Sequence, residues 1–131
     1  ALQVNNLDEI SEKYGPGVGN DVLVMVSQAI RDKSRPYDGA GLFKENIFLL
    51  PIPFVFGQDA VKIANRLFKG VQNTDITLLD GTVIQLNISV GVVSTARVAV
   101  TTEMEALIEK AREALAHTQR NGGNQLETVF L

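Results

Sequence analysis

The sequence predicts a single α+β domain, and three observations carry that prediction. Segments of helical period alternate with pairs of short apolar runs joined by turn residues. The chain has 131 residues, 45% of them hydrophobic, enough for one sizeable core and too few for two. No apolar run approaches the roughly 18 residues of a membrane span, and mean hydropathy is only +0.09.

In chain order, Leu2 to Val4 reads as the end of a strand. A polar stretch from Asn5 to Lys13 leads to Tyr14-Gly15-Pro16-Gly17, which is expected to turn. From Val18 to Lys33, the residues Val18, Val22, Val26, Ala29 and Ile30 recur at helical spacing, and Pro36 prevents continuation. Gly39 to Phe43 and Ile47 to Phe56 flank the polar tip Lys44-Glu45-Asn46 as a β-hairpin, with Pro51 and Pro53 marking the end of its second strand. Gln58 to Val71 returns to helical period through Ala60, Ile63, Ala64, Leu67, Phe68 and Val71. A second hairpin, 75–79 and 82–93, is expected around the two-residue turn Asp80-Gly81. The last helix, Glu103 to Arg120, carries its stripe at Met104, Leu107, Ile108, Ala111, Leu115 and Thr118; Asn121-Gly122-Gly123 stops it, and Leu126 to Leu131 forms a final edge strand. The expected order is β-α-β-β-α-β-β-α-β, around one mostly antiparallel sheet. The second halves of the two hairpins are expected to be long central strands.

Composition excludes several classes of function. Twelve Lys and Arg against fifteen Asp and Glu give a net charge of −3, the opposite of the basic surplus that coats nucleic acid. With no cysteine there are no disulfides, thiolate nucleophiles or Cys-ligated metals. His117 is the single histidine, so sites needing two are excluded, and a boundary or surface role suits it better than catalysis. No signal peptide is visible in the sequence.

Several short motifs recur in a fixed order. Gly15-Pro16-Gly17-Val18-Gly19-Asn20-Asp21-Val22-Leu23 is followed by Arg35-Pro36-Tyr37-Asp38. Lys44-Glu45-Asn46-Ile47-Phe48 begins six residues after Asp38, and then come Ile88-Ser89-Val90-Gly91, Ala111-Arg112-Glu113-Ala114-Leu115 and Gly122-Gly123-Asn124. Together these resemble the GGDEF (diguanylate cyclase) family over the whole chain. Its members run from D-x-D-x-F-K-x-x-N-D through G-H-x-x-G-D-x-x-L and R-x-x-D to the G-G-D-E-F hairpin, S-x-G and a terminal helix ending in G-x-N. The resemblance implies a sheet topology shared with nucleotidyl cyclases, one domain over 1–131 lacking its N-terminal helix, and a bacterial, cytoplasmic signalling context.

The family joins two GTP molecules into cyclic di-GMP, with Mg²⁺ neutralising the phosphates. The resemblance implies that its two metal carboxylates fall here on Gln3 and Asn46, and the next acidic position on Ile47. The two signature glycines become Lys44 and Glu45, the guanine-reading pair becomes Ser11 and Asn20, and the phosphate-binding pair becomes Gln119 and Gly123. Neutral amides hold Mg²⁺ poorly, so the expected site is degenerate, with no catalytic residue, no metal and no cofactor. Metal binding by Glu45 would need a one-residue slip of the hairpin, which flips side chains to the opposite face. Lys44 at a hairpin tip reads as solvated charge.

What remains is R-x-x-D. Arg35 and Asp38 stand where product-inhibited family members bind cyclic di-GMP, and Arg66 matches a supporting arginine. An arginine fork suits guanine O6 and N7, and a carboxylate accepts from guanine N–H donors. The competing structural reading makes Arg35 a helix C-terminal cap and Asp38 a turn residue. The expected function is therefore a catalytically inactive GGDEF-like domain, acting as a cyclic di-GMP receptor or regulatory module through Arg35, Asp38 and Arg66. The alternative is a dimerisation or protein-interaction module; residual cyclase or GTP-regulator activity ranks below both. Expected partners are cyclic di-GMP, a second copy, and further domains or a partner protein, without nucleic acid or membrane insertion.

Overall fold

The computed structural model describes residues 1–34, 40–53, 55–95 and 103–131. The strands are β1 (Leu2–Val4), β2 (Gly41–Leu42), β3 (Phe48–Leu49), β4 (Ile76–Thr77), β5 (Val83–Ile84), β6 (Ile88–Ser94) and β7 (Gln125–Phe130). The helices are α1 (Leu7–Tyr14), α2 (Pro16–Lys33), α3 (Gly57–Gln72) and α4 (Met104–Arg120), with a single 3₁₀ turn at Lys44–Asn46. Five strands form one sheet in the order β2-β3-β1-β6-β7, and β4-β5 form a separate two-stranded ribbon. Pairings within the sheet are antiparallel except β6 with β7, which run parallel. A parallel neighbour requires a crossover, and α4 supplies it.

Alternation along β6 explains how the layers assemble. Ile88 and Val90 join a core with Val22, Val26, Leu67 and Phe68 of α2 and α3. Residues of the other parity point to the opposite face. There a Cβ on Gly91 would overlap the Ala111 carbonyl and the backbone nitrogen of Leu115, so only glycine allows α4 to lie this close to the strand. Both faces of β6 are thus covered, which is why 88–93 reads as an almost continuous apolar run.

Five sequence expectations need correction. The polar stretch after β1 is a helix, α1, with Ile10 its single buried residue; Asp8 and Glu9 in its first turn and Lys13 in its last suit the helix dipole. The turn expected over Tyr14–Gly17 contracts to Gly15, which adopts φ 103°, and Pro16 already opens α2. The strand expected over 82–93 is two strands. Gln85–Asn87 breaks it because Asn6 donates to the Gln85 carbonyl and accepts from the Asn87 backbone N–H, so β5 leaves with β4 while β6 enters the main sheet. The turn at Asp80-Gly81 is a three-residue loop, since Leu78 pairs with Thr82 and Gly81 takes φ 87°. The strand expected over 47–56 is also short: β3 covers only Phe48–Leu49, although it lies inside the sheet between β2 and β1.

Candidate functional site

β1 alternates between two jobs. Leu2 and Val4 are buried in the core, whereas Gln3, opposite Ser89 of β6, faces the other way. At the exit of β1 lies a cleft of about 400 Å³, bordered by Gln3, Asn5, Asp8, Asn46, Asn87 and Gln119 and floored by Gly122 and Gly123. The structure therefore brings together three positions that the resemblance singles out: Gln3 from the sheet, Asn46 from the 3₁₀ turn, and Gln119 from the last turn of α4.

The carboxamides bind one another. Gln119 Nε2 donates to Gln3 Oε1 at 2.5 Å and to Asn5 Oδ1 at 2.9 Å. Asn5 Nδ2 donates in turn to Asn87 Oδ1 at 2.6 Å and to Ser89 Oγ at 2.8 Å. Asn87 Oδ1 also accepts from the Asn124 backbone N–H, and Asn124 Oδ1 accepts from the Ile88 N–H. The end of β1, the start of β6 and the turn after α4 are thus stitched together without a formal charge. Gly123 makes the stitching possible: at φ 74° it sits where a Cβ would overlap the carboxamides of Asn87 and Asn5. Asn46 holds the left-handed φ of 60° at the end of its turn, a conformation asparagine tolerates better than most residues.

The lining does not fit a magnesium ion. Mg²⁺ is held by hard, charged oxygens, and the side chains at the two expected metal positions are carboxamides. Among the described residues of the lining, Asp8 is the single carboxylate and there is no lysine or arginine. No group of three His, Asp or Glu side chains converges elsewhere among the described residues.

The remaining singled-out residues lie apart from the cleft. Ile47 is buried directly after the 3₁₀ turn. Ser11 packs against Gly19 across the α1–α2 junction, and Asn20 is exposed on α2. The Lys44 ammonium stands 5.6 Å from the Phe43 ring centroid, an exposed cation–π contact. Arg66 is exposed on α3. His117 Nδ1 contacts Glu127 Oε1 at 2.7 Å, joining α4 to β7 at the surface. Arg35 and Asp38 lie outside the described residues, so the R-x-x-D reading rests on sequence. Sequence reasoning missed Asn5, Asp8 and Asn87; the one local hint was the Asn5-Asn6 pair following an apolar strand.

Residues 1–125 match the family model described as diguanylate cyclase, GGDEF domain. Among curated proteins, the chain is 28% identical over 126 residues to diguanylate cyclase DosC of Escherichia coli, covering 96% of this chain and 27% of that protein. It is 30% identical over 92 residues to diguanylate cyclase TpbB of Pseudomonas aeruginosa, covering 70% of this chain and 21% of that protein. The chain therefore spans about a quarter of the length of the curated relatives it matches. The fold is shared with diguanylate cyclase SiaD of Pseudomonas aeruginosa, solved in complex with its activator SiaC. That match has a TM-score of 0.86 at 23% identity, over 98% of this chain and 48% of that one. The GGDEF domain of DgcB from Caulobacter crescentus, solved in complex with c-di-GMP, has a TM-score of 0.83 at 16% identity, over 97% and 74% of the two chains. The chain belongs to the GGDEF domain family of the diguanylate cyclases.

Proposed function

We propose that this GGDEF domain does not synthesise cyclic di-GMP and serves instead as a cytoplasmic regulatory module that receives cyclic di-GMP through Arg35, Asp38 and Arg66. The observation that supports the loss of catalysis is the amide-lined cleft. Condensing two GTP molecules requires positioned metal ions and cationic groups at the phosphates. Here Gln3, Asn46 and Gln119 occupy those positions, and Gln3 and Gln119 are engaged with each other. The carboxylate of Asp8 adds negative charge beside the space where phosphates would sit. The receptor half of the proposal rests on the R-x-x-D spacing and on the exposed guanidinium of Arg66.

Two measurements test it. Incubation with GTP and Mg²⁺ or Mn²⁺ is expected to give no cyclic di-GMP by chromatography; product that disappears on mutating Glu45 or Asn46 would refute the catalytic half. Restoring the signature at residues 44–47 alone is expected to leave the domain inactive, because Gln3, Asn20 and Gln119 remain. Calorimetry tests the receptor half. Cyclic di-GMP is expected to bind at micromolar affinity or better, without competition from GTP. Arg35→Ala removes a bidentate contact worth about 1–3 kcal/mol, a loss of roughly 5- to 150-fold. Asp38→Ala is expected to match it, and Arg66→Ala to cost less. No heat with the parent protein sinks the receptor half and leaves a protein-interaction module, a role to which the activator complex of the SiaD fold relative adds weight.

A further inference from the structure

The main sheet has two edges, and they are finished differently. At one, β2 holds only Gly41 and Leu42 before the chain enters the 3₁₀ turn. At the other, β7 runs for six residues in unbroken register with β6, with no strand on its outer side among the described residues. Edges of this length are commonly guarded by proline, lysine, a bulge or a projecting charge. The sequence QLETVF supplies no such guard. Its single charge, Glu127, is turned onto α4, where His117 Nδ1 meets it at 2.7 Å.

Alternation fixes what this edge offers. The Leu131 N–H donates to the Ser94 carbonyl of β6. Odd-numbered residues of β7 therefore direct their N–H and C=O groups at β6, and even-numbered ones direct theirs outward. The outward set is Leu126, Thr128 and Phe130. Their side chains share one face of the sheet, where Leu126 packs against the core and Phe130 is 52% exposed. Outward donors and acceptors beside a half-bare aromatic ring suit the addition of another strand.

The edge is complementary to itself. A two-fold axis perpendicular to the sheet sets residues of like parity opposite one another. With the axis at Thr128, each outward N–H meets an outward carbonyl, Leu126 lies opposite Phe130 of the second copy, and Glu127 lies opposite Val129. With the axis at Glu127, two carboxylates face each other, which is unfavourable. With the axis at Leu126, Phe130 falls opposite Gly122, before the strand begins. With the axis at Val129, Leu126 has nothing opposite it within the 131 residues.

From this edge we infer that β7 pairs antiparallel with β7 of a second copy of this chain, Thr128 opposite Thr128, joining the two five-stranded sheets into one. The pairing uses no residue that borders the cleft and none of Arg35, Asp38 and Arg66, so its failure and that of the nucleotide readings are independent.

The 131-residue chain is tested without nucleotide by sedimentation equilibrium from about 10 µM to about 1 mM. A dimer with a dissociation constant on the order of 100 µM is expected, the strength of a small transient interface. Across that range, backbone amide exchange at Leu126, Thr128 and Phe130 is expected to slow about fourfold as the monomer fraction falls. Glu127 and Val129, bonded to β6 in either state, are expected to stay unchanged. Thr128→Pro removes the central bonds of the pairing and none to β6, and is expected to weaken the dimer about tenfold or more. Thr128→Lys sets like charges opposite each other and is expected to cost about fivefold. Melting temperatures establish which variants fold, and Thr128→Lys carries the test if Thr128→Pro does not.

Register is read by crosslinking, since the chain has no cysteine of its own. Thr128→Cys is expected to give a disulfide-linked dimer on oxidation with diamide, because Cα atoms of a bonded antiparallel pair lie about 5.5 Å apart. Glu127→Cys, about 7–8 Å from its counterpart, is expected to crosslink about tenfold more slowly. A monomer throughout the concentration range overturns the inference and leaves the edge to an extended segment of another protein. A dimer that Thr128→Pro and Thr128→Lys both leave intact overturns it too, as does equal crosslinking at 127 and 128.

Discussion

The two faces of β1 have fared differently. On one face, Leu2 and Val4 are buried within a core that Val22, Ile30, Phe48, Ile88 and Val90 complete. On the other, Gln3 and the following Asn5 belong to a neutral hydrogen-bonded chain at an open cleft. The core face must exclude water whatever the domain does, and it tolerates only apolar groups of suitable volume. The cleft face carries no such obligation, so carboxamides can stand where charged groups would, provided their donors and acceptors are paired. Fold and chemistry are thus separable along a single three-residue strand.

The largest effect expected from that comparison is on the core side. Ile88 is fully buried, and Ile88→Asp buries a carboxylate with no partner. That costs several kcal/mol against a typical domain stability of about 5–15. Loss of the cooperative melt in circular dichroism is the expected result; an unchanged melting temperature would break the comparison.

Next comes the seam between β6 and α4. Gly91→Ala places a methyl group against the α4 backbone, which cannot yield as a flexible side chain can. Overpacking of this kind costs about 1–3 kcal/mol. A fall in melting temperature of roughly 3–12 °C is expected, at about 3–4 °C per kcal/mol for a domain of this size.

The same magnitude of change on the cleft face is expected to do little. The double variant Gln3→Asp with Gln119→Lys replaces the Gln3–Gln119 bond with a partly exposed ion pair, and the new ammonium can still donate to Asn5, so stability is expected to stay within about 1 kcal/mol of the parent in urea unfolding. A loss as large as that of Gly91→Ala would show that the carboxamide chain is structural in the same sense as the core.

The smallest expected effect lies outside both regions. The Asp80 carboxyl is held below its ordinary value by hydrogen bonds from Thr82. A depressed folded-state value means that the contribution is present above the usual aspartate range, near pH 4, and is lost as the pH falls through the lower folded value. Asp80→Ala is expected to lower stability slightly at pH 7 and not at pH 2, which flattens the acid side of the profile, as followed by thermal melts between about pH 2 and 7.

Much of this was legible in the sequence, and the boundaries of that legibility are physical. The helices α2, α3 and α4 announce themselves because each buries one face at every third or fourth residue, as Val22, Val26, Ala29 and Ile30 do. Helix α1 buries only Ile10, so its period is invisible. The break between β5 and β6 depends on Asn6 bonding to residues some eighty positions away, which no local pattern records. The site divides in the same way. Gln3, Asn46 and Gln119 stand out against a motif, whereas Asn5, Asp8 and Asn87 acquire their place from the packing of α1 and β6 around the end of β1.

The sheet order also bears on how the chain is made. β1 lies between β3 and β6, with Val4 opposite Ile88. The strand that leaves the ribosome first among these elements therefore waits for a neighbour 84 residues downstream. At synthesis rates of about 5–20 residues per second, that delay is roughly 4–17 s. Through it, the edge of β1 that pairs with β6 stays unpaired, while α1, α2, β3 and α3 emerge and Phe48 of β3 becomes available to Leu2. A pause in translation before residue 88 would lengthen the time for which this strand edge lacks its partner, since a long-range pairing cannot form before both strands exist.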